Sequence, residues 1–233
     1  MIRAILTIDD FPSKNTPVLV DYLNEKGIQA VFFAVGQDLE RYEQQAVYAL
    51  QHGMAVGNHS FSHPHFSELS LKESIAEIER CERALDGLYQ KAGVARRFRP
   101  FRFPYGDKGG ENRAAIQQYL KEHGFDKVKD AQIPWPWWKE YGLNQDADTF
   151  WTFDFQECLI RPGSGFTMEN VWERMHDGSP KSGAALFAEN GWHILLMHAH
   201  DETESSVPAY YRLLIDRALE NGVTFEKPEF VPA

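Results

Sequence analysis

The sequence has little cysteine. Its two thiols, Cys81 and Cys158, lie far apart and form no CxxC spacing. A disulfide scaffold, a zinc ribbon and paired-thiol chemistry are therefore excluded. Positive charge is also scarce: 24 Lys and Arg against 34 Asp and Glu leave a net charge of −10. Nucleic acid and anionic membrane surfaces both call for a basic footprint, so neither is an expected partner. No apolar run approaches the roughly 18 residues of a transmembrane helix. The start lacks a charged region followed by an apolar stretch, so the expectation is a cytoplasmic protein, with export and prior removal of a leader as the alternative. There is no linker, internal repeat or low-complexity tract. With 43% apolar and 13% aromatic residues, the 233-residue chain can bury a core, and one domain over residues 1–233 is expected.

What is present is alternation. Short apolar runs such as RAILTI (3–8), QAVFFAVG (29–36) and HILLMHAH (193–200) read as buried strands. Between them lie helical patterns. TPVLVDYLNEKG (16–27) has Pro17 in its first turn and Gly27 at its end. RYEQQAVYALQHG (41–53), SLKESIAEIERCERALDGLY (70–89), NRAAIQQYLKEHG (112–124), TMENVWERMHDG (167–178) and PAYYRLLIDRALENG (208–222) continue the series. FRPFRFPYG (98–106) reads as a strand and a turn. About seven βα units predict parallel strands wrapped by helices, a barrel rather than a doubly wound sheet.

In a parallel barrel the chemistry collects where strands end. Four such ends carry polar residues: Asp9–Asp10, GNHSFSH (57–63), RFPYG (102–106) and LLMHAH (195–200). Successive strand residues point to opposite faces, so the two aspartates can hold different tasks: one binding a metal, the other taking a proton from water. His59 and His63 share a face if they sit on one helical turn that ends before Pro64. Two imidazoles and one carboxylate make a three-ligand site with room for water. This set suits zinc, and also ferrous iron, cobalt or nickel. His65, beyond Pro64, reads as loop. His198 and His200 share a strand face with Leu196; His198 faces the barrel mouth as a candidate proton donor, and His200 lies past the strand end. IPWPWWKEYG (133–142) is either a surface loop of packed aromatics or a stacking platform in which Trp137 and Trp138 bind substrate.

Taken in order, TIDD, HSFSH, RFPYG and LMH resemble the motifs of the polysaccharide deacetylases with a NodB-like domain, carbohydrate esterase family 4. The match spans residues 7 to 198, with Ile8 where the family carries Phe. The resemblance implies a distorted (β/α)7 barrel and a metal-dependent hydrolase that removes N-acetyl groups from a sugar or glycan. Asp9 would be the general base and Asp10, His59 and His63 the metal ligands. Arg102 would pair with Asp9, the backbone N–H of Tyr105 would bind an oxyanion, His198 would protonate the leaving amine, and Leu196 would line the acetyl pocket. The family's Asp-Trp motif is missing. Asp154–Phe155 is the preferred stand-in as the partner of His198, with Glu157–Cys158 as the alternative. A small non-sugar amide as substrate, or a catalytically inactive carbohydrate binder, would be the competing functions.

Overall fold

The computed structural model describes all 233 residues. The most apolar runs form its central strands. β1 (Ile2–Phe11) lies in the middle, flanked by β2 (Ala30–Ala34) and β6 (Trp192–His198), and β3 (Ala55–Asn58) and β5 (Phe153–Asp154) form the edges. The order is β3-β2-β1-β6-β5, and every pair is parallel. β7 (Val223–Phe225) pairs with the first residues of β1.

Beyond β3 the barrel wall thins. The predicted strand over 98–106 is reduced to two parallel bridges, Asn58 to Phe101 and Pro100 to Asp126. Pro100 has no N–H to donate, which limits regular pairing there. The bridges lead to β4 (Asp126–Val128), which pairs antiparallel with β8 (Phe230–Pro232). Thr149 fills the gap towards β5: its N–H donates to the Phe101 carbonyl, and its hydroxyl accepts from the Val128 N–H. The result is the distorted NodB-like barrel that the motifs imply.

Strand alternation sorts the core into layers. Ala4, Leu6 and Ile8 point outward with Phe32, Leu195 and Met197 and pack under the helices in a cluster of 40 buried residues. Ile5, Val31, Phe33 and Ile194 point inward. At about 25 cal/mol per Å² of apolar surface, these layers dominate the stability. The longest helix, Leu71–Ala92, begins with a capping box: Ser70 Oγ accepts from the Glu73 N–H, and the Glu73 carboxylate accepts from the Ser70 N–H. It ends at Gly93, whose φ of 67° suits glycine.

The aromatic segment 133–142 sends Ile133 and Trp138 into the core and leaves Tyr141 exposed. Trp138 is 2% exposed, packs with Ile5, Val31 and Phe33, and donates its indole N–H to Asp130 Oδ2 at 3.1 Å. Trp137 is half-buried against the same cluster. Neither lines the cleft at the strand ends, so the substrate-platform reading of Trp137 and Trp138 is corrected. With the barrel wall so thin on this side, large rings are needed to fill its interior. Trp138→Ala should therefore lower unfolding free energy by about 3–5 kcal/mol, the cost of a large core truncation. Urea denaturation measures it; a change below 1 kcal/mol would contradict core packing.

Candidate active site

The cleft opens at the C-terminal ends of β1, β3 and β6 and encloses about 820 Å³. Asp9 and Thr7 point inward from β1. Strict alternation would turn Asp10 outward, but the β1–β2 register slips between Ile8 and Phe11, and Asp10 adopts a left-handed φ of 57°. This bulge swings Asp10 back towards the same site as Asp9. The expectation that the aspartates face apart is thus corrected.

Beneath them lies Arg102, fully buried. Its Nη1 donates to Asp9 Oδ1 at 2.8 Å and to Thr7 Oγ1 at 2.8 Å, and its Nε donates to the Thr149 carbonyl. The ring of Phe33 lies 4.4 Å from the guanidinium.

His59 and His63 do not share a helical turn. They sit in a loop in which Ser60 and His63 take left-handed backbone angles. Pro64 denies His63 the helical region, and the loop gains its bonds elsewhere. Asn58 Oδ1 accepts from the Ser60 N–H, and the Glu77 carboxylate accepts from the N–H groups of Phe61 and Ser62. His59 Nδ1 bonds to the Arg102 carbonyl at 2.9 Å, which places the proton on Nδ1 and leaves Nε2 free for a metal. Burial pushes the His59 imidazole below its usual pKa, keeping it neutral.

The Nε2 atoms of both histidines converge on Asp10 Oδ1, at 3.8 Å for His59 and 3.1 Å for His63. Ligands at about 2.0–2.1 Å from a tetrahedral ion lie roughly 3.4 Å apart. Three donors of N, N and O type at this spacing fit a divalent metal. The other Asp10 oxygen meets His200 Nε2 at 2.7 Å. Burial would raise the Asp10 carboxyl, but hydrogen bonds from His200 and His63 outweigh it and hold the group well below its usual pKa.

Facing this set, His198 lies beside Asp9 in register across the β1–β6 pair. Its carboxylate partner is Glu157, which accepts from the His198 N–H at 2.5 Å and lies 3.4 Å from Nδ1. Asp154 is close by, but its Oδ1 accepts from the Gln156 N–H. A left-handed φ of 61° at Gln156 turns the chain so that Glu157 passes under the imidazole. The preference for Asp154 as its partner is corrected for that reason. Burial would lower the His198 pKa; the Glu157 charge, with a further contribution from Cys158, reverses this and holds it well above the usual value.

Leu196 is buried in the cleft wall, and Trp151 forms the opposite part. Tyr105 has a left-handed φ of 57° and is 59% exposed, its ring stacked on His65 at 4.0 Å. His65 remains outside the donor set. Of seven non-glycine residues with positive φ, five belong to these segments: Asp10, Ser60, His63, Tyr105 and Gln156. Such strain persists only where surroundings enforce it and gathers at functional sites.

The family model for polysaccharide deacetylase matches residues 2–128. The chain belongs to the polysaccharide deacetylase family. Among its relatives, chitin deacetylase 1 of Cryptococcus neoformans is 34% identical over 93% of this chain and 41% of that protein. The peptidoglycan-N-acetylglucosamine deacetylase of Bacillus cereus is 33% identical over 45% of this chain and 37% of that protein. The chain thus spans only about two fifths of the length of these relatives. A chitooligosaccharide deacetylase of Azorhizobium caulinodans is 26% identical, with 80% of this chain and 79% of that one covered. The solved chitin deacetylase of Colletotrichum lindemuthianum superposes with a TM-score of 0.62 at 21% identity, over 96% of this chain and 84% of that one. A family 4 carbohydrate esterase from Streptomyces lividans gives 0.58 at 21%, over 97% and 92%. At these identities the structures speak for the fold.

Sequence reasoning missed His200, although its spacing from His198 put it on the same strand face. Since an outer partner orients a ligating carboxylate, His200→Ala should weaken divalent-metal binding by about 10–100-fold. Competition against a chromogenic chelator reads this directly; unchanged affinity would leave His200 with no hold on Asp10.

Proposed function

We propose that this polysaccharide deacetylase removes acetyl groups from the amide nitrogens of an N-acetylated glycan. The observation that supports it most is the placement of a buried carboxylate, Asp9, beside a cationic imidazole, His198, next to a metal-ready donor set. A mere sugar binder has no need of a base and an acid in one cleft. Relatives whose names place them on chitin, chitooligosaccharides and peptidoglycan point to the same class of substrate. The volume of about 820 Å³ suits a ligand larger than a simple amide.

Asp10, His59 and His63 would hold the metal, with zinc the proposed ion. Bound there, it supplies Lewis acidity to a carbonyl and to water. Asp9 takes the proton of the attacking water. Arg102 fixes Asp9 Oδ1 through its hydrogen bond, leaving Oδ2 turned towards the site, 3.5 Å from His59 Nε2. The Tyr105 N–H stabilises the oxyanion as the carbonyl becomes tetrahedral. His198 gives its proton to the departing amine, which is too basic to leave as an anion. Leu196 and Trp151 enclose the acetyl methyl.

Acetate release from chitooligosaccharides and peptidoglycan fragments, abolished by a chelator, is the expected outcome. Release only from simple amides would replace the glycan reading. Asp9→Asn should reduce turnover by about 10²–10⁴-fold while metal content stays near one equivalent; loss of metal in this variant would reverse the assignment of Asp9 and Asp10.

The acid role fixes a pH dependence. Turnover needs protonated His198, so it is present below that group's pKa and lost above it. Glu157 raises the pKa, and Glu157→Gln should move the alkaline limit of kcat/KM to lower pH. A pH–rate profile with an unmoved alkaline limb would remove Glu157 from this role.

A further inference from the structure

His198 belongs to a second cluster of metal-ligating side chains, on the side of the cleft away from Asp10. Ligand atoms of Asp154, Glu157 and His198 all lie within 4.8 Å of one another. The Cys158 thiol lines the cleft next to the same imidazole, outside that 4.8 Å group. Glu157 is fully buried, and its Oε2 has no hydrogen-bond partner. An orphaned carboxylate oxygen in such a place is costly unless something positive reaches it. Its other oxygen stands 3.4 Å from His198 Nδ1. That is long for a charge-assisted hydrogen bond, yet close to the edge of a tetrahedron around a zinc-sized ion, about 3.4 Å. Two carboxylates around one imidazolium also leave the cluster with one negative charge in excess. The nearby Arg174 guanidinium spends its Nε on the Asp154 backbone carbonyl rather than on either carboxylate.

We propose that Asp154, Glu157 and His198, joined by the Cys158 thiol when an ion enters, form a second divalent-cation site, one that takes zinc or cobalt and switches the enzyme off when filled. The set is N, O, O and S, a mixed donor set of the kind zinc accepts and magnesium or calcium does not. Binding releases two protons, one from His198 Nδ1 and one from the Cys158 thiol, and the ion takes their places. Bound through Nδ1, His198 is then a neutral imidazole whose remaining Nε2 proton is held too tightly to pass to a leaving amine. This inhibitory half rests on the acid role of His198; the binding half does not. The first site contains no sulfur, so a thiolate ligand distinguishes the two.

Titration of the metal-free protein with Co²⁺ tests the binding half without reference to any substrate. Beyond the first equivalent, a thiolate-to-cobalt charge-transfer band should grow to a second equivalent. Cys158→Ser and Glu157→Gln should both lose the band, with circular dichroism confirming that each is folded. His63→Ala, impaired in the first site, should keep it. Absence of the band in the unaltered protein, or its survival in Glu157→Gln, would overturn the site. For the inhibitory half, excess zinc should suppress acetate release, and Cys158→Ser should lose that sensitivity. Suppression equal in both proteins would overturn the switch. If no substrate is turned over, the cobalt band alone decides the site, and failure of the deacetylase reading remains separate from failure of this one.

Discussion

A single buried cation organises this protein. Arg102 comes from the thinned part of the barrel wall and reaches inward to Asp9 and Thr7 on β1, while its Nε holds the Thr149 carbonyl on the segment that leads to β5. A guanidinium taken out of water is tolerable only against a carboxylate and good acceptors. The requirement is mutual. Asp9 is as buried as a core residue, and Arg102 is the charge that makes such a carboxylate affordable. Two parts of the barrel that share almost no regular hydrogen-bond ladder are joined by the group that also orients the proposed base. Removing the guanidinium would loosen the wall and the chemistry together.

From that pair the site extends through shared atoms. The Arg102 carbonyl sets the tautomer of His59. Helix Leu71–Ala92 fixes the loop bearing His59 and His63 through Glu77, and fixes Asn58 through Glu82 and the Ile78 carbonyl. Each side chain of the proposed donor set is thus held by a group that is itself held. Such preorganisation separates a site able to bind metal tightly from a surface group of the same residues.

Much of this was legible in the sequence because it follows from period and punctuation. Apolar runs of strand length, glycine-terminated helices and the Ser70 start mark elements that burial and capping enforce locally. The convergence of Asp9, Asp10, His59, His63, Arg102 and His198 was legible because four strand ends of a parallel barrel must share one face. Less legible was whatever depends on backbone angles of one residue. The register slip at Asp10 and the turn at Gln156 have no glycine to announce them, so strand alternation misdirected Asp10 and Glu157 was ranked below Asp154. The Trp137–Trp138 segment misled for a different reason: aromatic rings in a polar, proline-rich stretch look exposed, and only the gap in the barrel wall shows that they are needed inside.

The left-handed residues around the cleft carry a consequence for how this chain tolerates change. Glycine would relieve the local strain at Asp10, His63 or Gln156, because it accepts positive φ without steric cost. The relief would come with freedom to leave the bound geometry, and at Asp10 and His63 with the loss of a donor. Selection for heat resistance alone would therefore drift towards variants that are sturdier and less active. The chain's reserve of unspent stability and its chemistry are stored in the same few peptide units.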